Sequence, residues 1–447
     1  MNKLVLLKIC LNLFVLILVL GGVFVLNESA LLVATGVLVI FFINRDQRLL
    51  HPSNMVFAFY AMYLILPICL FYVLEFISWE YILPWGRISN WDQVSPNAFA
   101  LVFCTFSLLF LSLIFFNQDK PRLNKHTGIN NIYVPYSICI SLIVILIFGM
   151  ALFVSKTGGI GLWLSDYSNT YVSGKSGVGW LNFLLINYAH FVFFICGIAL
   201  FSKHGIKGVR RQLLIFLLIF SVVVVCYFQG IKSRVPILAL FFLFPVLINS
   251  RLKMFNGVVL FLAFISFFMV SMYFRSNGFY DSFPKLVEYL LSYFNTYILL
   301  DTTMNDFPSD YMRTLWFSSQ KYTQALGYES NGEYLDISYW LTDVYFPETW
   351  ERNATQQWPL EMELYFNFGG LQFFVLPVLL ISVLISYLYN RAYLGSHILS
   401  FIFIAEFIRI FSTLRGSMLP WTLPLVLIFY ICTCFFMIAF TRKVNNA

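Results

Sequence analysis

The chain has 447 residues, of which 60% are hydrophobic and 11% are charged, and its mean hydropathy is +0.80. Since a soluble domain is about half apolar and a quarter charged, this composition excludes a soluble protein and predicts an all-α polytopic integral membrane protein. The net charge of +7 includes no basic run interleaved with aromatic residues, so nucleic acid is not an expected partner.

Apolar runs of about 20 residues, the length that crosses a bilayer, predict the membrane spans. We interpret the first run as an uncleaved anchor, because its apolar core is too long for a signal peptide. Twelve candidate spans follow in chain order: 4–26, 29–43, 54–77, 97–117, 132–154, 182–201, 212–228, 235–250, 255–274, 366–389, 397–412 and 418–440.

The basic residues of the short loops predict the orientation of the chain. If the N-terminus is cytoplasmic, 16 of the 28 basic residues lie at the inner face, accompanied by only two acidic residues, Asp46 and Asp119. Cytoplasmic loops carry such an excess of lysine and arginine. The N- and C-termini are therefore both expected to be cytoplasmic.

One outer loop, residues 275–365 between the ninth and tenth spans, is much longer than the others. It contains 13 of the 21 acidic residues and many tyrosines and tryptophans. A loop of this length is usually functional or disordered, and its aromatic content argues against disorder. Within it, residues 284–300 carry apolar side chains at four-residue spacing, which predicts a re-entrant or interfacial helix. A thirteenth span there would place Arg391 outside, so we reject it.

Five cationic residues stand at the outer ends of spans, where the orientation rule disfavours them. They are Lys232, Arg234, Arg275, Arg409 and Arg415. Such groups suit a phosphorylated lipid, because arginine binds phosphate oxygens in a bidentate fork. Each could instead reach lipid phosphates or pair with a loop carboxylate. We interpret the five together as one anion-binding site.

Three carboxylates are further candidates. Glu406, three residues before Arg409, is predicted to orient that arginine, as one member of a structural ion pair. Glu361 and Glu363 lead into the tenth span, and at this spacing one is expected to face the site and the other to face solvent. The alternative is an acidic rim without a catalytic role.

These residues lie in short motifs that resemble those of the bacterial O-antigen polymerases, also described as oligosaccharide repeat unit polymerases of the Wzy type. The motifs are Gly230-Ile-Lys-Ser-Arg234, Glu363-Leu-Tyr-Phe-Asn-Phe-Gly-Gly370 and Leu414-Arg-Gly-Ser417. The resemblance also covers the span count, the inner termini and the late outer loop. It implies a glycosyltransferase of the bacterial inner membrane whose site faces the periplasm.

Such an enzyme would move a growing glycan from undecaprenyl pyrophosphate onto the non-reducing end of the next lipid-linked unit, with inversion. The resemblance implies that neither a metal nor another cofactor is needed, and a chain-length regulator is a candidate partner. The five cations would hold the pyrophosphate, and Arg234 and Arg415 would also act in catalysis. Outer-loop aromatic residues would stack on acceptor sugars, with first choices Trp340, Tyr345, Trp358 and Tyr365.

The chain differs from the related O-antigen ligases in its general base. Those ligases look as if they use a histidine of an outer loop as the base. Four of the five histidines here lie at the inner face, and His190 lies inside the sixth span. A base would therefore be Glu361 or Glu363, with Asp343 behind them. Alternatively, no strong base is used and stabilisation of the leaving pyrophosphate carries the rate.

Three other functions remain open at this point. A flippase for the same lipid-linked sugar would require broken helices, mid-span charges and inverted repeats, which are sparse or not visible here. A membrane acyltransferase would favour a histidine facing its substrate. A scaffold for polysaccharide assembly would need no chemistry at all.

Overall fold

The protein is an α-helical membrane protein. Almost all of the residues that the computed structural model describes are helical. The described residues are 3–26, 29–77, 94–117, 131–165, 170, 178–229, 234–251, 266, 295–308, 312–325, 334, 337–347, 358–369, 373–411 and 423–443.

Among the described residues, one pair of two-residue strands joins distant parts of the chain. In β1 (Ile132–Tyr133) and β2 (Arg442–Lys443), Ile132 lies opposite Lys443 in an antiparallel pair. A π-helical turn, Ala61–Ile65, connects the third and fourth helices. The helices are α1 (Lys3–Val23), α2 (Ser29–Asn44), α3 (Pro52–Tyr60), α4 (Leu66–Phe76), α5 (Pro96–Phe116), α6 (Tyr136–Lys156), α7 (Gly159–Ser165), α8 (Gly179–Phe201), α9 (Val209–Gln229), α10 (Arg234–Leu247), α11 (Asn295–Asp306), α12 (Arg313–Ala325), α13 (Ile337–Tyr345), α14 (Leu360–Phe368), α15 (Val375–Tyr393), α16 (His397–Phe411) and α17 (Leu423–Phe440).

Within the described ranges, seven helices are long and apolar enough to cross a membrane. They are Pro52–Phe76, which contains α3 and α4, together with α5, α6, α8, α9, α15 and α17. Three more apolar helices, in α1, α2 and α10, are shorter. Helices lie at every predicted span except 255–274, which falls outside the described residues apart from residue 266. The total of twelve spans stays a prediction.

The predicted tenth span, 366–389, starts earlier than the long helix found there. The short helix α14 ends because Gly369 adopts a left-handed conformation, with φ of 76°. Glycine takes this conformation without steric cost, since it has no Cβ. The span helix α15 then starts at Val375. Gly369 therefore acts as a helix stop between α14 and α15.

Contacts divide the chain into two compact units. Unit 1 comprises Met1–Asp119, Leu252–Tyr387 and Phe407–Leu423. Unit 2 comprises Lys120–Arg251, Leu388–Glu406 and Pro424–Ala447. Each unit has its own apolar core.

In unit 1, buried polar side chains and small residues join the span helices. Ser112 of α5 donates a hydrogen bond of 2.7 Å to Ser382 of α15, and Asn117 donates one of 2.9 Å to Ser386. At Gly36 of α2, a Cβ atom would lie 2.7 Å from a methyl group of Val19. Hydrogen bonds and close backbone approach hold helices together where water supplies no hydrophobic drive.

The π-helical turn in unit 1 has a sequence cause. Pro67, near the start of α4, cannot donate a backbone hydrogen bond and its ring crowds the carbonyl group four residues earlier, which disturbs the preceding turn. Tyr60 is the last residue of α3 before this irregular turn and is fully buried. Its ring packs edge-on against Phe106 of α5, with the centroids 5.0 Å apart.

The described part of the large outer loop is helical and packs as a small domain within unit 1. Its core is aromatic: Trp340 of α13 contacts Phe307, Phe317 and Phe366, with centroid distances of 5.0, 6.1 and 5.3 Å. Helices α11 and α14 also contact α5, which seats the domain on a span helix. The predicted helix 284–300 falls mostly outside the described residues, and α11 begins at Asn295.

In unit 2, α8 and α10 lie side by side and make its closest helix contact. A Cβ atom at Gly197 of α8 would collide with the backbone carbonyl of Phe242 in α10, so only glycine permits this approach. Aromatic rings interleave along the seam, as in the pair Phe194 and Phe244. Earlier in the unit, Trp163 of α7 is buried and donates a hydrogen bond of 2.8 Å to Thr157.

Candidate functional site

Two groups of buried and half-buried polar side chains stand out. The carboxylate cluster lies in unit 1 and consists of Glu361, Glu363, Tyr60, Thr314 and Asn367. The arginine–histidine pair lies in unit 2 and consists of Arg234 and His190. Both groups contain residues that the sequence marks as functional and partners that it does not.

The short helix α14 positions both carboxylates of the cluster. Pro359 precedes it in an extended conformation, and Gly369 ends it after nine helical residues. Glu361 and Glu363 occupy its first turn, where the positive end of the helix dipole favours carboxylates. Both side chains are buried, with 1% and 6% of their surface exposed. The expectation that one of them faces solvent is therefore wrong, because the neighbours of α14 cover both carboxylates.

Glu361 is held by a tyrosine from a distant span. The hydroxyl group of Tyr60 donates a hydrogen bond of 2.6 Å to its Oε1 atom. Burial raises the pKa of Glu361 from 4.5 to about 7, and the hydrogen bond from Tyr60 limits the rise. A carboxyl group with this pKa can both take up and release a proton near neutral pH, which is what general acid–base catalysis needs.

Glu363 is linked to the start of α12 through a small hydrogen-bond network. The Thr314 hydroxyl lies 3.4 Å from Glu363 Oε1 and accepts a hydrogen bond of 2.8 Å from the amide of Asn367. The Oδ1 atom of Asn367 in turn accepts a hydrogen bond of 2.9 Å from the backbone N–H of Thr314. Asn367 therefore caps α12 from another helix and fixes it against α14. Four residues after Glu363, Asn367 lies on the same helix face, which is the one sequence signal for it.

The aromatic residues predicted to contact sugar form the core of the outer-loop domain. Trp340 and Trp358 are buried, and the guanidinium group of Arg313 lies 4.2 Å from the centroid of Trp340. Buried rings cannot stack on a sugar, so in this conformation both tryptophans act as core residues. Tyr345 and Tyr365 are half-buried, and their hydroxyl groups donate to Asp306 and to the carbonyl of Phe307, at 2.9 and 3.0 Å.

Asp343, the third candidate base, accepts a hydrogen bond of 2.5 Å from the hydroxyl group of Tyr334. It lies on α13, whereas both glutamates lie on α14. The half-buried position of Asp343 contrasts with the full burial of Glu361. The structure therefore distinguishes Glu361 from Asp343 by environment.

The arginine–histidine pair lies where α10 begins. A terminal guanidinium nitrogen of Arg234 is 3.3 Å from Nε2 of His190, which is buried in the middle of α8. The His190 ring also stacks on Phe241, with centroids 4.7 Å apart. Since Arg234 is always protonated, Nε2 is the acceptor and the ring carries its hydrogen on Nδ1. His190 thus contacts Arg234, one of the residues predicted to bind phosphate. The sequence does not reveal this contact, because 44 positions separate the two residues.

Helix lengths indicate that Arg234 lies below the end of α8. At 1.5 Å per residue, the 23 residues of α8 extend over about 34 Å and the 14 residues of α10 over only about 21 Å. Arg234 meets α8 at His190, which is about 16 Å from the start of that helix. The guanidinium group therefore lies at the level of the middle of α8.

The other predicted cations are placed only in part. Lys232, Arg275 and Arg415 fall outside the described residues, and Arg409 belongs to unit 1 whereas Arg234 belongs to unit 2. The gathering of all five into one site stays a prediction. Glu406 is buried in α16 and accepts a hydrogen bond of 2.8 Å from Tyr430, while its predicted role in orienting Arg409 also stays a prediction.

Among the described residues, no group of three His, Cys, Asp or Glu side chains could hold a metal ion. Comparisons of the chain with family models, with characterised proteins and with solved structures give no match. The motifs of the sequence and the geometry of the carboxylate cluster and the arginine–histidine pair are therefore what indicates the function of the chain.

Proposed function

We propose that this protein is a glycosyltransferase of the bacterial inner membrane that polymerises lipid-linked oligosaccharides, as the O-antigen polymerases do. In this proposal the chain has twelve spans, both termini are cytoplasmic, and the loop 275–365 lies in the periplasm. The observation that carries the proposal is the buried carboxyl of Glu361, whose pKa of about 7 suits proton transfer, at the junction of outer-loop and span helices.

In the proposed reaction, a hydroxyl group of the acceptor sugar attacks the anomeric carbon of the donor glycan. The proton of that hydroxyl passes to the Glu361 carboxylate, and a new glycosidic bond forms. The bond from the anomeric carbon to undecaprenyl pyrophosphate breaks, and its electron pair leaves with the pyrophosphate. Attack from the opposite face gives inversion. Because Glu361 is 1% exposed, the acceptor reaches it only after the covering outer-loop helices move.

The leaving pyrophosphate is the second part of the proposal. Arg234 would take up its developing negative charge, and His190 would hold the guanidinium group in a single orientation. The remaining predicted ligands, Lys232, Arg275, Arg409 and Arg415, would complete the anion site. Neither step needs a metal ion or another cofactor, since a pyrophosphate is a good leaving group.

The test uses a strain that lacks this gene and assembles surface glycan on a lipid carrier. Electrophoresis of its lipopolysaccharide should show the core with a single repeat unit, and the wild-type gene should restore the ladder. Glu361→Gln and Arg234→Ala should each leave the single-unit band, with normal amounts of protein in the membrane. Glu75→Gln is the matched control, because Glu75 is an exposed carboxylate at the end of α4.

Two outcomes would overturn the proposal. Complete ladders from both Glu361→Gln and Glu363→Gln would reject carboxylate catalysis. A deletion strain without any surface repeat unit, and with lipid-linked units retained on the cytoplasmic side, would identify a flippase instead.

A further inference from the structure

One face of α12 carries apolar side chains that no described helix covers. Thr314 and Phe317 point into the outer-loop domain and are buried. On the opposite face Met312, Leu315 and Trp316 are 44%, 40% and 61% exposed. An exposed patch of this kind on an otherwise polar helix marks an interaction surface.

The aliphatic part of the patch lies at the first turn of the helix. Further along the helix, the exposed residues are Ser319, Thr323 and Gln324, which are polar, and Tyr322, whose ring is apolar and whose hydroxyl group is polar. The helix therefore changes from an apolar to a polar surface along its length, as expected for a helix that meets a membrane with one end.

Hydrogen bonding places the patch beside the start of a membrane span. The backbone N–H of Met312 donates a hydrogen bond of 3.0 Å to the carbonyl of Asn367, in the last turn of α14. Met312 adopts φ of 62°, which is rare for a residue with a long side chain, so this junction is held in one particular conformation. Phe368, the residue after Asn367, lines an apolar groove of about 420 Å³ together with Val375 and Leu376 of the first turn of α15.

Helix α15, which follows this junction, presents apolar side chains on its surface. This helix is long and apolar enough to span a membrane, and Phe373, Leu376 and Leu380 expose their side chains around its first turns. In a spanning helix, such exposed apolar residues face lipid. The patch on α12 is joined to this lipid-facing surface through Asn367 and Phe368, so one occupant suffices for both.

We propose that α12 lies in the membrane interface, with Met312, Leu315 and Trp316 inserted among the lipid head groups and upper acyl chains. Tryptophan is enriched at this depth because its ring is apolar and its N–H is polar. Through the cap from Asn367, the inserted helix fixes the height of α14 relative to the bilayer. The inference does not rest on the proposed function, since it concerns only the position of α12.

The test places an environment-sensitive fluorophore on single cysteines in the full-length protein. Leu315→Cys and Trp316→Cys report on the patch, and Thr323→Cys, on the polar end of the same helix, is the matched control. Each protein is labelled and reconstituted in nanodiscs of plain phosphatidylcholine or of phosphatidylcholine brominated on its acyl chains. Wild-type protein carried through the same labelling gives the background from the eight native cysteines.

The fluorophores at positions 315 and 316 should lose about twofold more intensity to bromine than the one at position 323, because an interfacial helix buries its apolar face about 5–10 Å into the boundary. Equal quenching at all three positions would overturn the proposal. The proposal would also be overturned if the fluorescence at position 316 is not quenched by brominated lipid but changes on addition of lipid-linked oligosaccharide, since the patch would then bind glycan. If a cysteine variant fails to fold, the bromine quenching lost between wild type and Trp316→Phe measures the same contact.

Discussion

The hydrogen bond between Tyr60 and Glu361 leads to a quantitative prediction. Tyr60→Phe removes one hydroxyl group and leaves the ring that packs on Phe106. The bond should be worth about 1 kcal/mol when Glu361 is protonated and about 2 kcal/mol when it is ionised, since hydrogen bonds to charged groups are stronger. The coupling between the two residues should therefore grow as the pH rises through 7. In the variant, the pKa of Glu361 should rise further.

The sign of the wild-type pH dependence follows from the same pKa. Burial raises the pKa of Glu361 from 4.5 to about 7, so between these values the folded state holds a proton that the unfolded state has released. The contribution of this carboxyl is complete below pH 4.5 and is lost as the pH rises through 7. A difference of this size corresponds to about 3 kcal/mol of unfolding free energy. Glu361→Gln should remove this loss.

The assay is a double-mutant cycle on unfolding free energy, measured by denaturant titration in mixed micelles at pH 5 and pH 8. Wild type, Tyr60→Phe, Glu361→Gln and the double variant form the cycle. Tyr188→Phe is the matched control, because the Tyr188 hydroxyl donates to the neutral carbonyl of Leu142 instead of a carboxylate. A coupling free energy that is the same at both pH values, or a Glu361→Gln profile parallel to wild type, would refute the reasoning.

Three further predictions concern other buried groups. Burial lowers the pKa of His51 from 6.5 to about 4, so the free energy of unfolding should fall by about 3 kcal/mol as the pH drops from 6.5 to 4. In denaturant titrations, His51→Asn should flatten this fall, and its side chain can still cap α3. His190→Leu removes the hydrogen-bond acceptor for Arg234 and should shorten the glycan ladder, whereas His190→Gln, whose amide oxygen can accept a hydrogen bond, should retain part of it. Equal ladders from both variants would reject the role of His190 in positioning Arg234. Asn367→Ala removes the cap of α12 at Thr314 and should cost about 1–2 kcal/mol in unfolding free energy, while Asn367→Asp should retain most of it.

The pH dependence of stability in the wild-type protein combines the contributions of two buried titratable side chains, so each must be compared with a variant that lacks it. His51 makes the protein more stable as the pH rises from 4 to 6.5, and Glu361 makes it less stable from 4.5 to 7. The two contributions oppose each other where they overlap. A flat wild-type profile there would therefore be the sum of two slopes, which His51→Asn and Glu361→Gln separate.

Hydropathy alone determined the class of the protein and the positions of most helices. The composition predicts a membrane protein, and a helix occurs at every predicted span that the structure describes. The reason is that transfer of a segment into lipid depends on its own side chains, which any window of the sequence displays. The boundary at Gly369 escaped this method, because apolar residues continue on both sides of the glycine that stops α14.

The partners of the candidate catalytic groups are a property of the tertiary structure. Glu361 and Arg234 stand out in the sequence as charges in apolar surroundings, yet Tyr60 is 301 positions from Glu361, and His190 is 44 from Arg234. The same holds for Trp340 and Trp358, whose type suits sugar binding but whose burial makes them core. Local composition decides whether a residue can lie in a membrane or bind a sugar, whereas only the packing of distant segments decides what its polar atoms meet and whether its surface remains open.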